Sequence, residues 1–505
     1  MINLTRYAGT KTGIFGLGKT GLGAVKTLLA AGAIVYAWDN DKNKIIAAKN
    51  IIQSKNVFFS DVIDPFDVKK VDFVIVSPGV PCNFPEPHKI FTHCKRYNIP
   101  IRTDIDLLFE AYPNAKYIGV TGTNGKSTTV SLIQHILISN NYSSALGGNI
   151  GTSVLNLPHL SEPPANYVLE LSSYQLELLN MSKGRKVETL SSLRTHRVSV
   201  AISGSPRSLL RSRDDEINKF VCNERCYNVK FNIAVLLGIT PDHLDRYESF
   251  EEYKNAKLKI FQNQTSSDFA IISVDTDTNK NIYHELKINC LQKLIPISTD
   301  VILDDGISVI GDKLYDNYFN HNTLVLSLPQ SLVGQHNMEN IAATYATTKI
   351  LGLNDQAILQ AISSFKGLPH RMEIVLQNDN LIFINDSKAT NIAATSKALD
   401  SYKNIHWIAG GMLKEKDIFD LGNRLKNVKH CYLIGRDAQK FIHLLQEYNI
   451  PYTISESIQN ALTQIKKTVH AGTVLFSPAC ASFDQWKDFE ERGNAFKELV
   501  HILKK

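Results

Sequence analysis

The stretch Tyr117-Ile118-Gly119-Val120-Thr121-Gly122-Thr123-Asn124-Gly125-Lys126-Ser127-Thr128-Thr129 decides how the rest of the chain is read. Tyr117 to Val120 is an apolar run of strand length. Glycines then open a tight loop, and Lys126 to Ser139 carries a helical pattern. Gly122 and Gly125 let backbone N–H groups close around an anion, and the helix N-terminus adds a favourable field for phosphate. Lys126 is placed to reach the β- and γ-phosphates of a nucleotide, and the Ser127 hydroxyl to ligate Mg2+. The strict phosphate-loop pattern wants glycine where Val120 stands, so this is a variant loop. The competing reading is a plain Gly-rich turn with an exposed lysine.

Working outward, the chain alternates strands and helices on both sides. Upstream, a strand within 12–18 leads into Gly16-Leu17-Gly18-Lys19-Thr20-Gly21, a dinucleotide fingerprint, and the strand Ile34 to Trp38 ends at Asp39. That spacing lets an acid meet a ribose hydroxyl. The fingerprint itself reports only a pyrophosphate at a helix N-terminus, which a UDP-sugar also carries. Val71 to Val76 ends at Ser77-Pro78-Gly79. Downstream, Gly147 to Gly151 is a polar-tipped loop, and Tyr167 to Leu171 is a strand carrying Glu170 at its end. An acid there, beside a phosphate loop, is where Mg2+ is usually held. Ile233 to Leu237 runs into Thr240-Pro241-Asp242-His243-Leu244-Asp245-Arg246. A helix over 250–262 carries Lys254, Lys257 and Lys259. A strand-rich stretch, 269–328, precedes His336-Asn337-Met338-Glu339-Asn340, where Asn337 and Asn340 share a helix face. Gly367-Leu368-Pro369-His370-Arg371 reads as a hinge. The last part repeats strand–helix alternation, with Asp386 to Asn391 starting a helix, then Gly410-Gly411-Met412-Leu413-Lys414 and Ser477-Pro478-Ala479-Cys480-Ala481-Ser482.

The whole predicts an α/β protein of three domains: a Rossmann-like domain over 1–104, a central phosphate-loop domain with a parallel sheet over 105–367, and a Rossmann-like domain over 368–505. The chain has 505 residues, 43% hydrophobic and 21% charged, which supports ample core. No apolar run reaches the ~18 residues needed to cross a bilayer. Seven scattered cysteines point to reduced thiols in a cytoplasm. Cys222 and Cys226 have no second pair at zinc spacing.

Taken together, the motifs resemble the ATP-dependent Mur ligases of peptidoglycan precursor synthesis, over nearly the whole chain except roughly 181–228. The match rests on Gly122 to Thr128, Gly148 to Gly151, Glu170 to Ser173, Thr240 to Arg246, His336-Asn337, Gly367 to Arg371, Asp386 to Asn391 and Ser477 to Ser482, in that order and spacing. The Ser-Pro-Ala-Cys-Ala-Ser ending followed by Asp484-Gln485 resembles the members that add D-glutamate. The resemblance implies UDP-N-acetylmuramoyl-L-alanine and D-glutamate as substrates, joined through an acyl phosphate, in a cytoplasmic monomer. No nucleic acid and no stable membrane association are implied. It implies ATP contacts from Gly122, Thr123, Asn124, Gly125, Lys126, Ser127, Thr128, Asn337, Asn340, Arg371, Asp386 and Lys388. Two Mg2+ sites would draw on Ser127, Glu170, His243 and Lys257, the last as a carbamylated lysine formed with CO2. Lys126, His243 and Lys257 would be catalytic. Gly16, Gly18, Lys19, Thr20, Asp39, Ser77 and Asn149 would meet the UDP-sugar, and Thr390, Lys414, Ser482 and Phe489 the D-glutamate.

Other classes explain less. A nicotinamide oxidoreductase accounts for Gly16 to Gly21 and Asp39 but leaves Gly122 to Ser127 and the carboxyl-terminal motifs unused. A phosphate-loop motor or nucleic-acid ATPase needs a basic, aromatic face. The runner-up is a related ligase adding another amino acid. The net charge of +6 is concentrated in 181–228, where ten Lys/Arg face five acids and leave about +1 for the rest. This Ser/Arg-rich segment reads as a tolerated insertion without sustained amphipathic period, the alternative being a basic arm for nucleic acid or membrane.

Overall fold

The computed structural model describes residues 2–60, 68, 70–160, 164–179, 229–243, 246–332, 334–378, 380–413 and 419–503. The segment 181–228, expected above to be an insertion and carrying Cys222 and Cys226, lies outside these residues, and so do Leu244, Asp245 and Lys414. The chain forms two compact units, Met1–Val325 with Met338–Ile358, and Leu326–Asn337 with Leu359–Lys505.

Two sheets build the first unit. One has strands β1 Lys11–Phe15, β2 Ile34–Trp38, β3 Val57–Ser60, β4 Phe73–Val76 and β5 Ile101–Arg102, parallel throughout, in the order β3-β2-β1-β4-β5. The other has nine strands: β6 Lys116–Thr121, β7 Ser144–Gly148, β8 Asn166–Glu170, β9 Ile233–Leu236, β10 Phe269–Ser273, β11 Lys293–Ser298, β12 Ile307–Ile310, β13 Lys313–Asp316 and β14 Asn322–Val325. Their order is β14-β13-β12-β11-β10-β9-β6-β8-β7, parallel except for the antiparallel β12-β13-β14 meander. Parallel strands are covered on both faces, which is why β6, β8 and β9 read as unbroken apolar runs. A single buried core runs through both sheets, from Tyr7, Ile14 and Leu28 to Leu155, Tyr167 and Leu236.

Strand β6 lies between β8 and β9, with Val120 opposite Glu170 and Thr121 opposite Leu236. From β6 the chain goes to β7 and β8 on one side, then returns to β9 on the other. The carboxyl ends of β6, β8 and β9 therefore open on a topological switch point, where such sheets bind ligands.

The second unit holds β15 Glu373–Gln377, β16 Leu381–Asn385, β17 Ile405–Gly410, β18 Val428–Ile434, β19 Tyr452–Glu456 and β20 Gly472–Phe476, in the order β15-β16-β20-β17-β18-β19 with only β15 antiparallel. Three local readings change. The helix expected from Asp386 begins at Ile392, because Asn391 is the N-cap and accepts from the Ala394 N–H at 2.8 Å. The helix expected over 250–262 is α-helical over Phe250–Leu258 and tightens to a 3-10 turn over Lys259–Phe261. The strand-rich stretch also contains a helix, Asp277–Asn289, capped by Thr276.

Candidate active site

The phosphate loop follows β6 and ends at Gly125, the N-cap of the helix Lys126–Ser139, with φ 81°. A side chain there fails twice. The left-handed backbone strains any L-residue, and a Cβ would lie 2.3 Å from Asn340 Oδ1. Gly125 offers no side-chain cap, so the first-turn amides face the loop mouth. Thr123 is committed to the loop's own geometry. Its N–H donates to Gly238 O at 2.9 Å, and its hydroxyl lies 3.0 Å from both the Thr240 carbonyl and its amide. Asn124 is the exposed tip, and Ser127 and Thr128 are buried at the helix start.

Two lysines converge on one carbonyl. Lys126 Nζ donates to Gly122 O at 2.9 Å and Thr123 O at 2.8 Å, and Lys257 Nζ donates to the same Gly122 O at 2.8 Å. Lys257 is 2% exposed and sits 4.6 Å from the centre of the Tyr253 ring. Burial, reinforced by the Lys126 charge, pulls its pKa down to about 6, against a smaller opposing pull from Asp242. At neutral pH this amine is mostly unprotonated, and so nucleophilic. Of the other lysines on this stretch, Lys254 pairs with Glu251 at 2.7 Å, and Lys259 donates to Glu177 O at 2.6 Å.

Glu170, at the end of β8, is 2% exposed. Its Oε1 accepts from Asn149 Nδ2 at 2.8 Å, while its buried Oε2 has no hydrogen-bond partner. An orphaned buried carboxylate oxygen fits a cation site. Among the described residues no three His, Cys, Asp or Glu already converge on a metal. Mg2+ takes one or two carboxylates and completes its shell with phosphates and water. Asn149, expected at the UDP-sugar, is tied to Glu170 by its backbone amide as well as its side chain, the amide at 2.9 Å.

His243 stands on the turn after β9 with φ 56°, an unusual conformation for a non-glycine residue that marks a constrained turn. Its ring lies 5.1 Å from Tyr174 and 6.2 Å from Tyr253. Three residues the sequence reading missed hold this region. Asn279, fully buried, accepts from the Ile239 amide at 3.2 Å and donates to Leu237 O at 3.2 Å. Glu339 Oε1 accepts from the Gly238 amide at 2.7 Å. The Tyr253 hydroxyl reaches Thr123 Oγ1 at 3.2 Å. Asn340, 1% exposed, accepts from Thr129 Oγ1 at 3.1 Å and so braces the helix behind the loop.

At the carboxyl edge of the first sheet, Gly16 has φ 91°, and Ser77 Oγ donates to its carbonyl at 2.7 Å. Gly18 caps the helix Lys19–Ala30 without a side-chain bond, leaving Lys19 and Thr20 at its start. Asp39 is spent on the backbone. One carboxylate oxygen accepts from the Leu17 amide at 2.7 Å, the other from the Asp41 amide at 2.9 Å. The spacing that suggested a ribose contact thus also serves to shape the loop.

In the second unit, Asp386 accepts from Ser477 Oγ at 2.7 Å and from the Met372 amide at 3.2 Å. Burial pushes its pKa up to about 7, against the Ser477 bond and the charges of Arg371 and Arg492. Lys388 Nζ sits 5.6 Å from the centre of the Phe489 ring. Ser482 is buried, and Thr390 is half-buried. Asn337 is buried where the helix Gln335–Ile350 begins. Arg492, also missed, is fully buried. It donates to Ser387 Oγ at 3.0 Å, Ser387 O at 2.7 Å and Cys480 O at 3.0 Å, clamping the Asp386 turn to the loop that carries Ser482.

A glycine-rich loop at a helix N-terminus, with a carboxylate that has one orphaned oxygen and a buried lysine beside it, is the kind of arrangement that suits a nucleotide phosphate and a cation. Comparison agrees. The chain matches the Mur ligase MurD-like N-terminal domain over 10–94, the Mur ligase middle domain over 217–348, and the Mur ligase glutamate ligase domain over 370–480. The chain belongs to the Mur ligase family. Among its relatives, the UDP-N-acetylmuramoylalanine–D-glutamate ligase of Wolbachia sp. subsp. Brugia malayi is 36% identical, covering 100% of this chain and 98% of the relative. The enzyme of the same name from Rickettsia prowazekii is also 36% identical, covering 98% and 99%. In fold, the chain is similar to UDP-N-acetylmuramate-alanine ligase MurC of Thermotoga maritima, with TM-score 0.55, 15% identity and coverage of 98% and 99%.

Proposed function

We propose that this chain joins D-glutamate to UDP-N-acetylmuramoyl-L-alanine at the cost of ATP. The observation that carries the chemistry is the phosphate loop with Lys126, flanked by Glu170 with its orphaned oxygen and by the buried, neutral amine of Lys257. The amino acid is carried by the full-length relatives. The acceptor's alanyl carboxylate attacks the γ-phosphorus, ADP leaves, and an acyl phosphate forms. The neutral amine of D-glutamate then attacks the carbonyl carbon, phosphate leaves, and the nitrogen gives up a proton. Lys126 and the amides of Gly125 to Ser127 stabilise charge growing on the transferred phosphoryl oxygens.

Ser127 with Glu170 would hold one Mg2+, and His243 with Lys257 a second, neutralising phosphate oxygens. Lys257 alone is a poor cation ligand. As a neutral amine it adds to CO2, forming an N–C bond and losing a proton, and the carbamate is an anion. Asn149 orients Glu170. The UDP-sugar would meet Gly16, Gly18, Lys19, Thr20, Asp39, Ser77 and Asn149, with Asp39 also shaping that loop. Asn337, Asn340, Arg371, Asp386 and Lys388 serve the nucleotide, and Thr390, Lys414, Ser482 and Phe489 receive D-glutamate, with Arg492 fixing the last loop. The reading includes a cytoplasmic monomer. The cytoplasmic part of this reading is supported by free thiols at Cys82, Cys94, Cys290, Cys431 and Cys480. The acyl phosphate is tested with acceptor labelled by 18O in its carboxylate. One label should appear in each released phosphate, and unlabelled phosphate would refute the intermediate.

A further inference from the structure

Arg246 joins the first sheet's ligand edge to the catalytic turn. Its Nη1 donates to Gly79 O at 2.7 Å, in the loop that follows β4. Its guanidinium carbon lies 4.8 Å from the centre of the Tyr174 ring, which packs against the His243 ring. Its own amide donates to His243 O at 2.9 Å, which ties the backbone that carries the side chain to His243. On the far side, Ser77, two residues before Gly79, holds Gly16 O at 2.7 Å. A line of contacts thus runs from the pyrophosphate-type loop at Gly16, through Ser77 and Gly79, to Arg246, His243 and Tyr253, and so to the phosphate loop at Thr123. A planar guanidinium suits this place. Its flat face lies on an aromatic ring while one edge donates to a carbonyl, and a lysine ammonium has no such plane or fork of donors.

We propose that Arg246 is a positioning residue for the acceptor substrate. It fixes the separation between the loop that holds the substrate's nucleotide end and the turn beside the phosphate loop, so that the far carboxylate arrives within reach of the γ-phosphate. One flexible substrate has to span both ends, and small misplacement at a reacting centre costs orders of magnitude in rate. Asn83 Nδ2 with Glu177 Oε1 at 2.9 Å crosses between the same two sheets, so the unit keeps a second tie when Arg246 is changed.

The inference rests on the ligase reading, which the wild-type rate in the same assay tests separately. Arg246→Lys and Arg246→Gly are compared with wild type for KM of all three substrates, kcat, and the ratio of ADP to amide formed. Arg246→Lys should raise KM for the UDP-linked acceptor and lower kcat, each about tenfold, leave KM for ATP within twofold, and form ADP in excess of amide. Added guanidinium ion should restore part of the lost rate in Arg246→Gly and none in Arg246→Lys. The proposal is overturned if Arg246→Lys keeps kcat and acceptor KM within twofold of wild type, or if KM for ATP rises as much as that for the acceptor. If Arg246→Gly does not fold, the lysine variant decides alone, by its KM split and its ADP-to-amide ratio.

Discussion

Lys257→Met should abolish ligation and yet make the first unit more stable. The amine is buried with a pKa near 6, against 10.5 for a free lysine. Between those values the unfolded chain holds a proton that the folded chain has lost. Stability therefore rises with pH through this window, and the penalty is complete below pH 6 and gone above 10.5. At pH 7 the gap of about 3.5 units corresponds to about 5 kcal/mol. Methionine removes that penalty, but it also removes the bond to Gly122 O and repacks imperfectly against Tyr253, together about 2 kcal/mol. The variant should gain about 3 kcal/mol at pH 7 and almost nothing at pH 9, a loss of about 3 kcal/mol over two units. Urea unfolding of both proteins at pH 7, 8 and 9, in buffer stripped of CO2 so that no carbamate forms, reads the difference directly. A difference constant across that range would refute the claim that the fold holds this amine neutral, and with it the basis for carbamylation.

Lys126→Ala should leave less than a tenth of wild-type turnover with an unchanged circular dichroism spectrum, because the lysine lies at a loop mouth, where it donates to the Gly122 and Thr123 carbonyls. Lys414→Ala should raise KM for D-glutamate far more than KM for ATP in steady-state assays, and equal increases would assign Lys414 to the nucleotide. Replacing 181–228 with a short Gly/Ser linker should keep kcat and KM within about threefold, since loop closure entropy varies slowly with length. Limited trypsin digestion should cut first at Arg194, Arg197, Arg207 or Arg211.

What the sequence made legible is what local chemistry decides. The strand into Gly122, the glycines with positive φ and the helix from Lys126 all follow from residues within a few places of one another. So does Ile34–Trp38, read to the residue. The misread helix start at Asp386 shows the limit. Both Asp386 and Asn391 are good caps, and the choice falls to Asn391 because the Asp386 carboxylate is held by Ser477, 91 residues away. Asp39 has a second role that its spacing did not show, since the acid that could meet a ribose also accepts from the Leu17 amide. The side chains of Arg246, Glu339, Asn279 and Arg492 bond to partners brought in by the fold, and no spacing rule reaches those partners. Glu339 and Arg246 nevertheless lay inside motifs already marked, His336 to Asn340 and Thr240 to Arg246. A charged residue inside such a motif is a signal for support of the site as well as for contact with substrate.

The most direct test of the central claim is ADP release by the purified protein with ATP, Mg2+ and UDP-N-acetylmuramoyl-L-alanine, each candidate amino acid being added in turn. The account predicts ADP and amide in equal amounts with D-glutamate, and little of either with L-glutamate, D-alanine or a diamino acid. Amide formation with a different amino acid, or none with D-glutamate, would contradict it.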